Sequence, residues 1–400
     1  MFVAGLSTAA AWPAARRKNR MLKEALELED FGRLAKGRLP RSVYAYVSNG
    51  AEDMATLREN RTQFAAHKFV TRVLRDVSKR DQGRTVFGRR WSSPFAIAPM
   101  GAAAVVGYDA DNRMARAAQE ADIPFILSAN SITPLEELHR TNPDAWFAAY
   151  QSPDHEKIRR MIDRVGQAGF ETYLLTVDVA VGSNRQGERR AGYSMPLRAT
   201  PKLVLDGISH PGWLLGTAAR TFCKRGVPVI SNIEPVGGPT ILTRDVTFIG
   251  GHSSFSWEEV KLIRSLWPGR FVLKGILSSE DARIAREHGC DGIVVSNHGG
   301  RQLDGSASPL EVLTAVKAAS GDMTIIADSG FRRGTDVLKA LALGADLVLI
   351  ARPFLYAAVL AGEMGVAYAI RLLKREIDIG LALLGLEGAD EVGPAVLLGR

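Results

Sequence analysis

The sequence predicts a (β/α)8 TIM barrel of the α/β class, and three observations support this prediction. From about residue 90 onward, short apolar runs alternate with helical patterns, as in a parallel sheet covered by helices. The apolar runs number eight, which is the number of strands that closes such a barrel. Each run stops at polar or small residues, and a barrel brings all eight carboxyl ends to the face where active sites lie. The alternative is an open doubly wound sheet, but no G-x-G-x-x-G motif follows the first run.

The predicted strands and helices are short and follow one another closely. The strands are expected at residues 95–100, 125–128, 146–150, 173–177, 271–274, 292–296, 324–327 and 347–351. The helices that follow most of them are expected at residues 109–122, 134–140, 154–168, 279–288, 309–319 and 335–343.

The barrel is predicted to occupy most of the chain, with smaller segments around it. The expected organisation is a flexible N-terminal extension (1–21), a helical subdomain that contributes to the active site (22–90), the barrel (91–390) with an insertion at about 182–255, and a C-terminal tail (391–400). In the subdomain, residues 22–38 have the spacing of an amphipathic helix. Tyr44 and Tyr46 precede a turn at Asn49-Gly50, from where a tyrosine could reach the barrel mouth.

The insertion is far longer than an ordinary loop between a strand and a helix. On a barrel it would emerge beside the active site, as a lid or docking element. Within it, Leu203-Val204-Leu205 and Trp213-Leu214-Leu215 lie near several lysines and arginines. Two interpretations remain open: residues 195–225 lie peripherally on a membrane surface, or they form two short helices that pack on the barrel or on another subunit.

Composition excludes several classes of protein. An apolar fraction of 46% and a charged fraction of 24% are those of a soluble globular protein. The two cysteines, Cys223 and Cys290, are too few and too far apart for a disulfide framework or a zinc site, so we expect no metal and a cytoplasmic location. The net charge of +8 favours solubility or attraction to anions, but aromatic residues do not interleave with the basic runs, which argues against nucleic-acid binding. No apolar run is long enough to cross a bilayer.

The loops after the last two predicted strands have the composition of a phosphate site. Glycine in Asp328-Ser329-Gly330-Phe331-Arg332-Arg333-Gly334 permits close backbone approach, and barrels often bind phosphate at this place. Arg332 and Arg333, with Arg352 after the last strand, supply positive charge. The alternative is a basic turn on the surface.

A second group of strand-end residues has the chemistry needed to oxidise a 2-hydroxy acid. Histidine titrates in the range of a general base, and guanidinium groups grip carboxylates in a bidentate manner, which points to His298 with Arg301 and Arg185. Asp178 could hold the imidazole and favour its protonated form. Lys274, at the end of a buried strand, could stabilise negative charge on a reduced flavin or form an ion pair with a carboxylate such as Asp178.

Several motifs in order resemble those of the FMN-dependent 2-hydroxy-acid dehydrogenase and oxidase family, which includes glycolate oxidase, lactate dehydrogenase and mandelate dehydrogenase. The most specific is Ser296-Asn297-His298-Gly299-Gly300-Arg301-Gln302-Leu303-Asp304. It is reinforced by Val43-Tyr44-Ala45-Tyr46, Leu175-Thr176-Val177-Asp178, Leu273-Lys274-Gly275 and the Asp328–Gly334 segment, so the resemblance covers about residues 22 to 390. The stretch from Pro201 to Pro211 is most similar to the mandelate dehydrogenase branch, in which the corresponding segment contacts the membrane.

The resemblance implies FMN as the cofactor and a role for each matching position. It implies that the flavin is lined by Pro99, Met100, Gly101, Ser128, Tyr150, Thr176, Lys274 and Ser296, and that its ribityl and phosphate groups are held by Asp328, Ser329, Gly330, Phe331, Arg332, Ala351 and Arg352. It implies that the substrate is bound by Tyr46, Tyr150, Arg185 and Arg301, with His298 as base, Asp178 behind it, and Tyr150 and Lys274 assisting catalysis.

Three positions depart from the family pattern. A glutamine that normally bonds the flavin ring is Ala148, and the usual glycine before the final Arg-Pro is Ala351. Where several oxidases have an aromatic residue after the second strand, this chain has Ala129-Asn130. Ala148 is expected to weaken FMN binding or shift its potential, and Asn130 leaves the substrate identity open.

The sequence therefore predicts an FMN-dependent oxidation of an (S)-2-hydroxy acid, aromatic or bulky, to the 2-keto acid. The expected electron acceptor is a quinone, a cytochrome or oxygen, and the expected assembly is a homotetramer, peripheral on the inner face of the cell membrane or free in the cytoplasm. The alternatives are a flavin enzyme for an amine or a modified peptide, and an inactive flavin-binding scaffold.

Overall fold

The structure is a computed structural model, and it describes residues 21–194, 198, 200–243 and 253–399. Residues 1–20 of the predicted extension, and a few residues of the insertion, lie outside the described ranges.

Eight parallel strands form a barrel, which confirms the predicted fold. The strands are β3 (Phe95–Ile97), β4 (Ile126–Ser128), β5 (Trp146–Ala149), β6 (Thr172–Thr176), β7 (Arg270–Ile276), β8 (Gly292–Val295), β9 (Thr324–Ala327) and β10 (Leu347–Ile350). Neighbours in the chain are neighbours in the sheet, and β10 pairs with β3. A parallel bridge between Ile97 and Phe125 closes the ring between β3 and β4.

Successive strand residues alternate between the inside and the outside of the barrel. The outward residues are apolar as well, and helices cover them. Inward residues such as Ile126, Leu174, Val272 and Val294 form one apolar cluster, and the outward residues join a larger cluster with the helices. The covering helices are Ala103–Val106, Ala110–Glu120, Leu135–Thr141, His155–Gln167, Trp257–Leu266, Ser279–Glu287, Pro309–Ala319, Gly334–Ala342, Arg352–Ala361 and Glu363–Leu384.

A two-stranded hairpin, formed by β1 (Arg84–Val86) and β2 (Arg89–Trp91), fills the end of the barrel where the strands begin. Val86 and Trp91 are buried in the same cluster as the inward strand residues. Phe87, in the turn, packs on Trp146, the first residue of β5, at a ring distance of 5.5 Å. The N-terminal region predicted as helical therefore also supplies a β-hairpin that seals one end of the barrel.

The first helix of the N-terminal region is shorter than predicted. It spans Leu28–Lys36, not residues 22–38. The Asp30 carboxylate accepts hydrogen bonds from the backbone N–H groups of Leu26 (2.9 Å) and Glu27 (3.3 Å), which caps the helix at this point. The apolar spacing continues across this boundary, which is why periodicity alone overestimated the helix.

Two further helices, Arg41–Ser48 and Ala55–Thr62, are tied to the loop that follows β8. Ala51 N–H donates to the Gly300 carbonyl at 2.8 Å. The Asp304 carboxylate accepts from the N–H groups of Asp53, Ala55 and Thr56 at 2.8–3.1 Å, at the start of the second helix. These contacts fix the N-terminal helices over the barrel mouth.

The C-terminal residues predicted as a tail pack on the N-terminal region. Val70 N–H donates to the Val396 carbonyl at 2.9 Å, and Leu398 N–H donates to the Lys68 carbonyl at 2.8 Å. Val396 and Leu397 are buried. The last described residues are therefore held against residues 68–70 of the N-terminal region.

The insertion forms short helices beside the barrel mouth. They span Gln186–Ala191, Pro201–Ile208, Pro211–Trp213 and Arg220–Arg225, with a π-helical turn at Leu214–Ala219. Trp213 packs inward, and its indole N–H points at the carbonyls of Val105 and Val106 (3.2–3.3 Å). Several large apolar side chains instead face outward: Val204, Leu205, Ile208, Leu215, Phe222 and Val227. Within the described ranges, no helix has the length and apolar character needed to cross a bilayer.

Candidate active site

A cavity of about 370 Å³ lies at the carboxyl ends of the strands. It contains most of the residues that the sequence singled out: Tyr46, Pro99, Met100, Gly101, Tyr150, Arg185, Lys274, His298, Arg301, Asp328, Ser329, Gly330, Phe331, Arg332, Ala351 and Arg352. Four others, Ser128, Thr176, Asp178 and Ser296, do not line the cavity themselves.

His298 is oriented by Asp178. Its Nδ1 lies 3.0 Å from one carboxylate oxygen of Asp178 and 3.2 Å from the other. Because Nδ1 is engaged there, Nε2 is the nitrogen left for a ligand in the cavity. His298 has a left-handed backbone (φ 58°), and Gly299 and Gly300 continue in that region at 66° and 72°. This tight turn, rare for a residue with a side chain, places the imidazole above Asp178.

Burial keeps His298 neutral. It lowers the histidine pKa, and Asp178, which pulls the pKa up, does not fully compensate because Lys274 opposes it. Asp178 favours the protonated form of His298, as predicted, but burial and Lys274 together outweigh it, and the net pKa of His298 is lowered. Burial would raise the pKa of Asp178, but His298 and Lys274 outweigh it, and the net pKa is lowered. A neutral imidazole beside an ionised carboxylate has the state that a general base needs.

Lys274 is paired with a strand-end carboxylate, as one of the two interpretations of the sequence expected, but this carboxylate is Asp328 and not Asp178, which was given as the example. Its Nζ lies 3.3 Å from Asp328 Oδ2 and donates to Ser296 Oγ at 3.2 Å. Ser296 Oγ in turn donates to Asp328 Oδ2 at 2.8 Å and accepts from His298 N–H at 3.0 Å. Burial would lower the pKa of Lys274, but Asp328 and Asp178 raise it overall, so the ammonium stays charged.

Two arginines form the cationic side of the cavity. Arg301 Nη1 donates to the carbonyls of Tyr46 (2.7 Å) and Asn49 (3.1 Å). Arg185 donates through Nε to Ser183 Oγ at 2.8 Å. Burial, followed by repulsion from Arg301, lowers the pKa of Arg185. Two like charges that are largely enclosed on one side of the cavity favour the binding of an anion between them.

Tyr46 and Tyr150 add two hydroxyl groups to the cavity wall. Tyr46 Oη donates to the Gly101 carbonyl at 2.9 Å, which confirms that the N-terminal region lends a tyrosine to the barrel mouth. Burial raises the pKa of Tyr150 to about 12, so its hydroxyl remains a hydrogen-bond donor at neutral pH.

Glu188 and Tyr193 line the cavity but were not predicted from the sequence. Glu188 Oε1 lies 3.1 Å from Arg301 Nη2, close enough for an ion pair, but it has no well-directed hydrogen bond among the described residues. Burial raises the pKa of Glu188 against the attraction of Arg301 and Arg185. Tyr193 stacks on Tyr46 at 4.6 Å. The spacing in the sequence could have identified Glu188 as a site residue. Glu188 follows Arg185 by about one helical turn, which places the two side chains on the same face of a helix.

Arg352 and Arg332 lie at the other end of the site. Arg352 donates to the carbonyls of Val47 (2.8 Å) and Gly299 (3.1 Å), and it forms no ion pair with a described carboxylate. Burial, followed by repulsion from Arg301 and Arg332, lowers the pKa of Arg352 to about 9. A buried guanidinium without an ion-pair partner is stabilised by binding an anion, and the phosphate of a cofactor would be such an anion.

Arg333 does not belong to this group, contrary to the sequence-based expectation. It forms ion pairs with Glu27 and Glu376 (3.2 Å for the latter) at the surface and does not line the cavity. Consecutive side chains in an extended segment point to opposite sides, so Arg332 and Arg333 could not both face the cavity.

The backbone near Arg332 and Arg352 offers one helix N-terminus to a phosphate. Gly330 has a φ of 88°, and a Cβ there would lie 2.1 Å from the Asn60 carbonyl oxygen, so glycine is needed where this loop packs on the helix Ala55–Thr62. The helix Arg352–Ala361 begins here, and helix N-termini favour anions. The start of the helix Gly334–Ala342 is already capped, because the N–H groups of Arg332 and Arg333 donate to Asp336 and that of Gly334 donates to Glu376. With Lys274 beside the strand ends, the residues present match the phosphate and ring of FMN.

Comparison with known proteins agrees with this chemistry. The family model described as FMN-dependent dehydrogenase matches residues 35–398. The chain belongs to this FMN-dependent dehydrogenase family. Its cofactor is therefore FMN, and the protein is an oxidoreductase.

Similar proteins include dehydrogenases for two hydroxy acids. The chain is 38% identical to (S)-mandelate dehydrogenase of Pseudomonas putida, with 94% of this chain and 95% of the relative covered. It is 36% identical to an L-lactate dehydrogenase of Pseudomonas aeruginosa, with 91% and 95% covered. A crystal structure of the monotopic membrane protein (S)-mandelate dehydrogenase superposes with a TM-score of 0.86 at 37% identity, over 94% of this chain and 100% of the other. A mandelate oxidase with (S)-2-phenylpropionate superposes with a TM-score of 0.76 at 31% identity, over 94% and 98%.

The departure at Ala148 leaves an apolar position inside the barrel. Ala148 is buried among the inward barrel residues and pairs in register with Ser128. Gln151 lines the cavity, but its amide nitrogen already donates to the Tyr173 hydroxyl at 2.6 Å.

Proposed function

We propose that the protein oxidises an (S)-2-hydroxy acid to the 2-keto acid, with His298 as the base. The observation that carries the proposal is the His298–Asp178 pair, which shares one cavity with Arg185, Arg301 and Tyr150. The similarity to mandelate and lactate dehydrogenases supports this reaction class. Mandelate dehydrogenase and mandelate oxidase among the similar proteins favour an aromatic or bulky substrate.

Each residue of the cavity has one task in this reaction. Arg301 and Arg185 hold the substrate carboxylate, and the Tyr150 hydroxyl holds the 2-hydroxyl group. His298 Nε2 takes the proton that the substrate loses, and Asp178 stabilises the imidazolium that results. Bound FMN would supply the acceptor for the two electrons and for the second proton that this oxidation releases. Lys274 would hold a positive charge beside the flavin ring, where it favours negative charge on the cofactor.

The cofactor residues of the proposal divide into two groups. Arg332, Arg352 and the backbone from Asp328 to Phe331, with Ala351, would hold the phosphate and ribityl chain. The ring would lie against Pro99, Met100, Gly101, Tyr150 and Lys274, with Ser128, Thr176 and Ser296, which do not line the cavity, behind them.

We further propose that the protein contacts a membrane surface through its insertion, while the electron acceptor is a quinone, a cytochrome or oxygen. Four of the outward-facing apolar residues, Val204, Leu205, Ile208 and Phe222, lie on the same helices as the exposed cations Lys202, Arg220 and Lys224. Apolar side chains with lysine and arginine around them suit an anionic lipid surface. The same segment supplies Ile230, Ile233 and Glu234 to the cavity wall, so it would bring the cavity close to the lipid.

The test is the absorbance of the purified protein, recorded anaerobically before and after addition of (S)-mandelate and (S)-lactate. We expect a flavin spectrum that bleaches with at least one of these acids. A flavin that no 2-hydroxy acid bleaches would overturn the proposal and favour an amine or modified-peptide substrate. A spectrum that no donor of any class bleaches would favour a flavin-binding scaffold.

A further inference from the structure

The side chain of Asn130 is a polar group of the cavity that the proposed reaction does not use. Asn130 follows β4 directly, and its backbone is fixed on both sides. Its N–H donates to Ser128 Oγ at 3.2 Å, and its carbonyl accepts from Ala102 N–H at 2.9 Å. The side chain lines the cavity, yet its amide makes no hydrogen bond to any residue in the described ranges.

Four other polar wall residues outside the proposed reaction set are bonded within the protein. Gln151 donates to the Tyr173 hydroxyl at 2.6 Å, and Ser152 Oγ accepts from Asp154 N–H at 3.2 Å. Lys157 and Glu234 form an ion pair at 3.0 Å. Glu188 Oε1 and the Tyr193 hydroxyl also have no hydrogen-bond partner among the described residues. Of the two amide side chains on the wall, Asn130 is the one that makes no hydrogen bond within the described ranges, because Gln151 is bonded through its nitrogen.

Asn130 also lies next to the position where the substrate is held. A Cβ placed on Gly101 would lie 3.0 Å from Asn130 Cβ and 3.6 Å from Tyr46 Oη. The Asn130 side chain and the Tyr46 hydroxyl therefore both lie close to Gly101 on the cavity wall. A ligand whose carboxylate reaches Arg301 and Tyr46 has its neighbouring atoms within reach of this amide.

We infer that Asn130 selects 2-hydroxy acids that carry a hydrogen-bonding group on the side chain, close to the reacting carbon. The inference rests on the proposed function, because it assigns a substrate class to the same cavity. A partly desolvated amide that no protein group satisfies gains a hydrogen bond when such a substrate binds. A substrate without that group leaves the amide unsatisfied, and the difference is a source of specificity.

The test compares pairs of (S)-acids that differ by one hydroxyl group near the reacting carbon. The first pair is lactate and glycerate, which have a small side chain. The second is mandelate and its analogue with a hydroxyl group at position 2 of the phenyl ring, which have a bulky side chain. The measurement is the ratio of kcat/KM for the two members of each pair. We expect the hydroxylated member to be preferred in at least one pair. We expect Asn130→Leu, which keeps the size but not the amide, to reduce that preference by about tenfold, the size of one hydrogen bond.

Asn130→Ala serves as a second variant, and Ser152→Ala is the matched control because Ser152 lies on the same wall but is already bonded. Flavin content and thermal midpoint establish that each variant is folded. The control should keep the ratio of the wild type within about twofold. A ratio that is unchanged in both Asn130 variants, or no preference in either pair for the wild type, would overturn the inference while leaving the oxidation itself intact. Failure of all four acids to bleach the flavin would instead overturn the proposed function.

Discussion

At the scale of single residues, the site is built from charges that would be unfavourable alone. Arg185, Arg301 and Arg352 are enclosed in one cavity, and each depends on carbonyls or carboxylates for partners. The arrangement is stable because Glu188 offsets part of the charge and because an anionic substrate and a phosphate would offset the rest. Two predictions follow from particular side chains of this cluster.

The first concerns the base. His298→Gln should slow flavin reduction by a hydroxy acid about 10²- to 10⁴-fold, because the amide cannot accept the substrate proton. FMN should remain bound, since the phosphate residues are unchanged. Anaerobic stopped-flow bleaching measures the rate, and the absorbance spectrum measures the flavin content. The control is His155→Gln, which changes an exposed histidine on a covering helix. Reduction at the wild-type rate in the His298 variant would exclude it as the base.

The second concerns Glu188. Glu188→Gln removes a negative charge beside Arg301, so a small dicarboxylate such as oxalate should bind about 3- to 10-fold more tightly. The pKa of Glu188 is raised by burial, so lowering the pH protonates this carboxyl in the wild type before an ordinary glutamate. The difference between variant and wild type should therefore shrink as the pH falls and grow as it rises.

Spectral titration of the bound flavin with oxalate, over a range of pH, measures this effect. Glu188→Asp keeps the charge and is the matched control. Weaker oxalate binding in Glu188→Gln would show that the carboxylate acts mainly by positioning Arg301.

At the scale of elements, the strands were easier to predict than the helices of the N-terminal region. Buried parallel strands are continuous apolar runs with distinct ends, and all eight were located from the sequence. The helix at Leu28–Lys36 was overestimated because the Asp30 cap, not the apolar spacing, determines where it begins. The hairpin β1–β2 was not predicted, because its charged sequence, Arg84 to Trp91, gives no alternating pattern.

The insertion carries a prediction of its own. Replacing Leu205, Ile208, Leu215 and Phe222 together by serine should sharply reduce binding to vesicles that contain anionic lipid, because their exposed apolar area is lost. Co-sedimentation with vesicles measures it. The matched control replaces Val73, Leu74, Leu383 and Leu398, which are exposed to a similar or greater degree elsewhere on the surface. Equal partitioning of the two variants would contradict a membrane role for this face.

At the scale of the whole molecule, the barrel and its surroundings fold as one connected unit. β3 and β10 are about 250 positions apart in the chain but adjacent in the sheet, and the C-terminal residues bond to residues 68–70. The sequence shows the number of strands. It does not show that β3 pairs with β10 or that the C-terminal residues bond to residues 68–70, because these contacts join segments that are distant in the chain. For the same reason the sequence placed both Lys274 and Asp328 in the site but did not show that the two side chains pair with each other.

The C-terminal contacts lead to a stability prediction. Removing residues 394–400 should lower the free energy of unfolding by about 3–5 kcal/mol, because two buried aliphatic side chains, Val396 and Leu397, lose their burial. Urea titration followed by far-ultraviolet circular dichroism measures this change, and a chain that lacks only Arg400 is the control. An unchanged urea midpoint would mean that the segment contributes nothing to stability.

The hairpin β1–β2, which closes the end of the barrel where the strands begin, limits how ligands reach the site. With Val86 and Trp91 filling that end, the mouth beside the insertion is the approach to the flavin site that the described residues leave open. The hydroxy acid, the keto acid and the electron acceptor must then use the same entrance one after another. A keto acid that stays in this entrance blocks the other two, so product inhibition is expected at high turnover. The rate of product release, as well as the rate of the chemical step, then limits turnover.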